Sequence, residues 1–403
     1  MTAIRHTFSH IRNMPGAFWV VIVVAFINQL GNMAMMFLVA YLTVHFKFSL
    51  PAASLIYALL CGAMLISGTI AGATADHFGA AKVMAIVLCT NAVVLLCMPL
   101  FNHFWSIALM CILWGIVIGA YRPAAQTFLM HVAPAESYRV AFSIFRLCWN
   151  LGMSIGPAIG GYLATHSFQL IFIFNGVANI VAGIILVLGL LFKPGVDQQP
   201  PPSTSEHKRW GWSYLWHDKL LLIFVLGMIP VTMVFYQNGS TMPVFIHQNL
   251  GLQLTIYGLL FTLNTLMIVF FELPISIITL TWPAKRSLII GSILMATGFG
   301  GFYFSSSAWH LFLLTAIWSL GEIIFFPTAS SYVAELAPPA RRGSYVSIYS
   351  TSINTGLLVG PWAGAIIMHA FTGRGLWLAC WLWGLVSSVI FIYLGSPKRD
   401  TFD

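Results

Sequence analysis

The chain is short of charge. Asp, Glu, Lys and Arg make up 7% of its 403 residues, against about 25% in a soluble domain, so it cannot cover an ordinary water-facing surface. It is short of long polar segments too, which leaves no room for a separate soluble catalytic domain. No His-Glu-x2-His zinc motif and no paired-aspartate motif occurs, so an intramembrane enzyme or another non-transporting membrane protein is only a remote alternative. The six cysteines, at 61, 89, 97, 111, 148 and 380, stand in apolar runs without metal-ligand spacing, and they read as packing residues with no metal and no cofactor to hold. With only ten carboxylates in the whole chain, a dedicated sodium site is hard to build, and protons are the expected coupling ion.

What is abundant is apolar sequence. Hydrophobic residues make up 59% of the chain, and a membrane-spanning helix needs about 20 of them in a row. Twelve such runs are legible, at 17–43, 52–74, 83–101, 105–128, 141–164, 168–192, 219–246, 254–280, 286–304, 309–330, 345–368 and 374–395. Their length favours helices over a barrel, whose strands need only about ten alternating residues. Arg5 and Arg12 precede a first run that is too long for a signal peptide and lacks a small-residue cleavage site, so it is expected to stay as the first span. The expected fold is an all-α integral membrane protein of twelve transmembrane helices, surrounded by lipid.

The net charge of +8 does not point to nucleic acid, because its distribution follows membrane topology. With the N-terminus in the cytoplasm, 14 of 18 Lys and Arg fall on cytoplasmic segments; Lys47 and Arg374 fall outside, and Arg122 and Arg146 lie in helices. This positive-inside bias places both termini in the cytoplasm and suits a bacterial inner membrane.

The longest polar stretch, 193–218, contains Pro200, Pro201, Pro202, Ser203, Lys208 and Arg209 and reads as a cytoplasmic linker. It separates a six-helix bundle at 1–192 from a second at 219–403. The bundles repeat at an offset of 204: Trp114 meets Trp318, Pro123 meets Pro327, Ala133-Pro134 meets Ala337-Pro338, and Ser143-Ile144 meets Ser347-Ile348. Asn150, Gly152, Gly156, Pro157 and Gly160 meet Asn354, Gly356, Gly360, Pro361 and Gly364. An offset of six helices preserves orientation, so the halves are parallel repeats, the arrangement of transporters that rock about a central site.

Three motifs stand out. The fifth run holds Gly152-x3-Gly156-Pro157-x2-Gly160-Gly161, glycines that share one helix face and admit a close backbone. The loop after the second run reads Gly72-x3-Asp76-x2-Gly79-x2-Lys82, and the tenth run holds Gly321-Glu322 followed by Pro327. Together these resemble the proton-coupled drug antiporter branch of the major facilitator superfamily. The resemblance implies that the glycine motif of Gly152, Gly156, Pro157 and Gly160 seals the interface between the halves. It implies that Asp76 latches the cytoplasmic side and that Glu322 takes part in proton coupling. The sequence departs from the family pattern at His77, Ala80 and Ala81, where basic residues are usual, and at Cys111, where many family antiporters have arginine.

Charges in mid-membrane cost roughly 2.5–3.5 kcal/mol each on insertion scales and therefore mark function. Glu322 and Glu272 are the candidate proton-coupling residues, since a carboxyl that can exchange a proton near cellular pH is one held away from water. Arg146 and Glu272 sit at similar depth, so they either pair as a cytoplasmic gate or snorkel separately. The candidate substrate-binding set is Asn28, Asn32, Arg122, Trp149, Asn150, Tyr236, Gln237, Trp318, Glu322 and Asn354, with Gln29 and Asn238 as further amides. The expected function is proton-driven export of amphipathic, cationic or neutral small molecules by a monomer, with substrate, protons and lipid as its partners. The alternative is transport of one nutrient or an anionic metal chelate gripped by Arg122 or Arg146.

Overall fold

A computed structural model describes residues 14–133, 138–191, 218–279, 281–337 and 342–395, with the side chains of 69–77 among those outside the description. All regular structure among the described residues is helical, as lipid requires: each helix satisfies its own backbone hydrogen bonds. The first rod is broken into α1a (Gly16–Gly31) and α1b (Ala34–Ala40) and closes in a π-helical turn at Tyr41–His45. It is followed by α2 (Leu50–Phe78), α3 (Ala80–Cys97), α4 (Phe104–Val132), α5 (Tyr138–His166) and α6 (Phe168–Leu191). The second set opens with α7a (Lys219–Phe235), a 3-10 turn (Tyr236–Gly239), α7b (Thr241–Val244) and a π-helical turn (Phe245–Asn249). Then come α8 (Leu254–Thr279), α9 (Ala284–Gly300), α10 (Ala308–Leu336), α11 (Arg342–Ala370) and α12 (Thr372–Ile392).

Ten of these rods, counted among the described residues, are long and apolar enough to cross a membrane. The expectation of twelve spans therefore rests, for α5 and α11, on length: each has 29 residues, but their Gly, Ser and Asn content dilutes the apolar character. These are the two helices that carry the glycine motif.

The 204-residue offset governs structure as well as sequence. α4 and α10 begin and end that distance apart, as do α5 and α11 and the π-helical turns at Tyr41–His45 and Phe245–Asn249. The breaks in the first and seventh rods, after Gly31 and Phe235, are also equivalent. The chain divides into two compact units, Met1–Lys47 with Leu59–Ser205, and Phe48–Ala58 with Glu206–Asp403. In the first unit, α1a packs on α5 and α6, and α3 packs on α4 and α6. In the second, α7a packs on α11 and α12, and α9 on α10 and α12. One core gathers Phe18, Met84, Tyr121, Phe128 and Phe145; the other gathers Phe224, Met295, Phe325, Tyr332 and Phe391. The linker at 193–218 lies outside the described residues apart from Asp218. That residue caps α7a by accepting from the Leu220 and Leu221 amides and also accepts from the Tyr345 hydroxyl at 2.7 Å.

The glycine motif explains the tightest packing. A Cβ on Gly152 would stand 2.9 Å from the Leu30 amide nitrogen, and one on Gly156 would stand 2.7 Å from the Leu30 carbonyl oxygen. One on Gly160 would stand 2.8 Å from the Phe37 ring. In α11 the equivalent glycines face α7a and the turn after it: Gly356 meets Thr232, Gly360 meets Met233 and Gly364 meets Gln237. The close neighbours of these glycines thus lie on the first rod in one unit and on the seventh rod in the other. Backbone cannot yield as a flexible side chain can, so Gly156→Leu is expected to destabilise by about 1–3 kcal/mol and lower the melting temperature in detergent. Gly183→Ala, whose new Cβ would make only ordinary contacts at 3.7 and 3.8 Å, is expected to leave it unchanged or slightly higher.

Candidate functional site

The second unit places one carboxylate in a defined hydrogen-bonding setting. Glu322, half-buried in the middle of α10, accepts at Oε2 from Asn264 Nδ2 on α8 at 2.8 Å. The same nitrogen donates to Ser319 Oγ, one turn earlier on α10, at 2.9 Å. Asn264 thus uses both amide hydrogens to fix the two helices and orient one carboxylate oxygen. The cluster is peculiar to this half, because the positions equivalent to Asn264, Ser319 and Glu322 are Leu60, Gly115 and Ile118. Glu272, half-buried, lies about two turns further along α8.

The first unit has a polar cluster of its own, built from amides. Asn28 on α1a and Asn91 on α3 each donate to Asn179 Oδ1 on α6 at 3.0 Å. Asn179 in turn donates to the Asn175 carbonyl oxygen at 2.8 Å and to its Oδ1 at 3.1 Å. All four are buried. Their counterparts in the second half are Thr232, Met295, Ala379 and Trp383, so this cluster too is peculiar to one half. A third association brings two expected substrate residues together: the Arg122 guanidinium lies over the Trp149 ring at 5.3 Å, and the Tyr121 ring stacks on the same indole at 6.4 Å. Such a pair offers both a cation and an aromatic face to a ligand.

Other expected residues divide by burial. Asn32, Asn150, Tyr236 and Asn354 are half-buried and Arg146 is exposed, which leaves each accessible. Gln237 is fully buried. Its Nε2 donates to the Met233 and Gly360 carbonyls and its Oε1 accepts from Thr241, so it acts as a strut between the seventh rod and α11 rather than as a cavity residue. Trp318 is also core: it is 1% exposed and packs on Phe299 and Phe235 at 5.1 and 6.2 Å. Its repeat partner Trp114 is equally buried, which marks the pair as framework. Asn28 belongs to the amide cluster, with Gln29 beside it against Gly152. The Asp76 side chain lies outside the described residues.

One hydrolase-like spacing is present, Gly152-x-Ser154-x-Gly156. It falls inside the continuous α5, with Ser154 3% exposed, whereas a nucleophile elbow needs a sharp strand-to-helix turn with an exposed serine. No group of three or more His, Cys, Asp or Glu suited to a metal ion occurs among the described residues.

Sequence reading did not pick out Asn91, Asn175, Asn179, Asn264 or Ser319. Each was visible as a lone polar residue in an apolar run, but its partner is up to 151 positions away. Replacing Asn179 with Leu removes two interhelical acceptor contacts, each worth about 0.6–1.7 kcal/mol in membranes. The expected loss is about 1–3 kcal/mol, measured as a lower midpoint of thermal unfolding in detergent.

A family model described as Major Facilitator Superfamily matches residues 21–255 and 231–402. The chain is 24% identical over 371 residues to YqjV of Bacillus subtilis, described as an MFS-type transporter, covering 91% of this chain and 90% of that one. It is 23% identical over 404 residues to a Na(+), Li(+), K(+)/H(+) antiporter of Planococcus maritimus, with 92% of each covered. It is also 23% identical over 338 residues to the multidrug resistance protein MdtH of Aeromonas salmonicida, with 81% of each covered. Among solved structures, the nucleoside transporter NupG superposes with a TM-score of 0.80 at 14% identity, covering 94% of this chain and 99% of that one; this likeness speaks to fold alone.

Proposed function

This chain belongs to the major facilitator superfamily, a family of membrane transporters rather than enzymes, and on that premise we propose that it is a proton-coupled exporter of amphipathic, drug-like molecules. The observation that carries the reading is Glu322, a half-buried carboxylate oriented by Asn264 at a position where the other half has Ile118. A single carboxylate can hold a proton or stand opposite a cationic substrate, but it serves both poorly at once. That competition is the simplest antiport scheme: arrival of a proton releases the substrate, and arrival of substrate displaces the proton. Two relatives, one described as a multidrug resistance protein and one as a cation/proton antiporter, support this class of activity. We read the protein as a monomer of twelve spans in a bacterial inner membrane, with both termini cytoplasmic and the proton gradient as its energy source in place of any cofactor.

Within this scheme, residues 1–192 and 219–403 rock against each other across the linker 193–218. Asp76, Arg146 and Glu272 act as cytoplasmic gate residues, with Glu272 as a second proton site. Asn32, Arg122, Trp149, Asn150, Tyr236 and Asn354 contact substrate. The Arg122–Trp149 association favours a second reading, uptake or export of one anionic nutrient or chelate, in which the guanidinium grips the anion.

Proteoliposomes loaded with a pH-sensitive dye separate the two readings. Adding tetraphenylphosphonium, a lipophilic cation, is expected to drive proton movement through wild type and at least tenfold less through Glu322→Gln. Equal movement in both would make Glu322 structural, and movement in neither would favour the anionic substrate. The gate has its own test. Arg146→Glu and Glu272→Arg are each expected to slow transport, and the double reversal to restore it in part; failure of the double variant to recover removes the pairing.

A further inference from the structure

Two grooves correspond at two lining positions of the internal repeat, Lys82 with Arg286 and Ile86 with Ile290. In the first unit, α2, α3 and α4 enclose a groove of about 750 Å³ whose lining includes Ile66, Phe78, Lys82, Ile86 and Val117. In the second, the start of α9 forms a smaller one of about 290 Å³, lined by Pro283, Lys285, Arg286, Ile289 and Ile290. The 204-residue offset superposes Lys82 on Arg286, Ile86 on Ile290, and Phe78 on Trp282. The Arg286 guanidinium lies over the Trp282 ring at 4.6 Å. Each half therefore repeats an aromatic ring, a cation one turn on, and an isoleucine a turn beyond that. Ile66, Phe78 and Ile86 are 65%, 61% and 64% exposed, which in a bilayer means contact with acyl chains.

The chemistry of the occupant follows from this pairing. An apolar wall with a cationic mouth, at the end of the bundle where the charge bias places the cytoplasm, suits an amphiphile with a negative head. The cations repel a cationic drug, and a free phosphate has no use for the apolar wall. A guanidinium offers a phosphate two parallel hydrogen bonds, and an interfacial aromatic sits at headgroup depth. We infer that each groove holds one anionic phospholipid, its phosphate at Lys82 in the first half and at Lys285 and Arg286 in the second, with an acyl chain along the apolar wall. The inference needs only the membrane setting and stands apart from the export reading.

Native mass spectrometry of the full-length protein, purified in detergent and supplied with phosphatidylglycerol or phosphatidylcholine, tests it. Wild type is expected to retain two phosphatidylglycerol molecules in preference to phosphatidylcholine. Lys82→Gln is expected to lose one of them, and Lys285→Gln/Arg286→Gln the other, with affinity falling roughly fivefold per cation removed. Lys47→Gln, distant in sequence from both grooves, is expected to retain both. Charge reversal guards against simple misfolding: Lys82→Glu/Arg286→Glu is expected to shift preference toward a lipid with a trimethylammonium head. Equal retention of both phospholipids by wild type, or an unchanged count in the neutralised variants, would overturn the assignment.

Discussion

Lipid offers no hydrogen bonds, so the backbone polar groups of a spanning helix must find partners inside the protein, and buried side-chain amides gain by doing the same. The rest of the structure follows from that constraint. Backbone groups meet it by helix formation, which is why the described residues hold no other regular structure. Side chains meet it by reaching across to neighbouring helices, as Asn28, Asn91 and Asn179 do in one unit and Asn264, Ser319 and Glu322 do in the other. With no hydrophobic force between helices in lipid, close approach must come from small residues, and the glycine faces of α5 and α11 supply it against the first and seventh rods.

The internal repeat separates what the fold requires from what it does not. Glycines, prolines, the buried Trp114 and Trp318, the broken rods and the π-helical turns recur at the same offset and form a shared skeleton. The amide cluster and the carboxylate cluster do not recur, and apolar or small residues stand in most of their equivalent positions. A buried polar group in a membrane is costly to keep. One that the duplicate half does without is therefore a stronger functional candidate than one present in both. By that criterion Glu322 gains weight and Trp318 loses it.

Much of this was legible in the sequence. The apolar runs located the helices, and the offset of 204 held to the residue for α4 with α10 and α5 with α11, because both depend on local composition and spacing. Individual contacts were far less legible. Gln237 looked like a cavity amide, yet it is saturated by Met233, Gly360 and Thr241. Trp318 looked like a substrate platform, yet it fills the core. Asn264 drew no notice, yet it orients Glu322. Which face of a helix a residue occupies is readable from periodicity in water, where one side is polar. In lipid the outer face is as apolar as the core, and that signal disappears.

The proposed export thus rests on one carboxylate that would exchange a proton for a substrate, within a skeleton of glycines, prolines and broken rods that both halves share. Exchange of that kind has a direct signature, the proton given up when substrate binds. In weakly buffered detergent solution, tetraphenylphosphonium binding to wild type is predicted to release protons, up to one per ligand at a pH where the Glu322 carboxyl is protonated, by linkage between the two equilibria, and binding to Glu322→Gln to release none. Equal proton release from both proteins would contradict the account and move the exchange to another group.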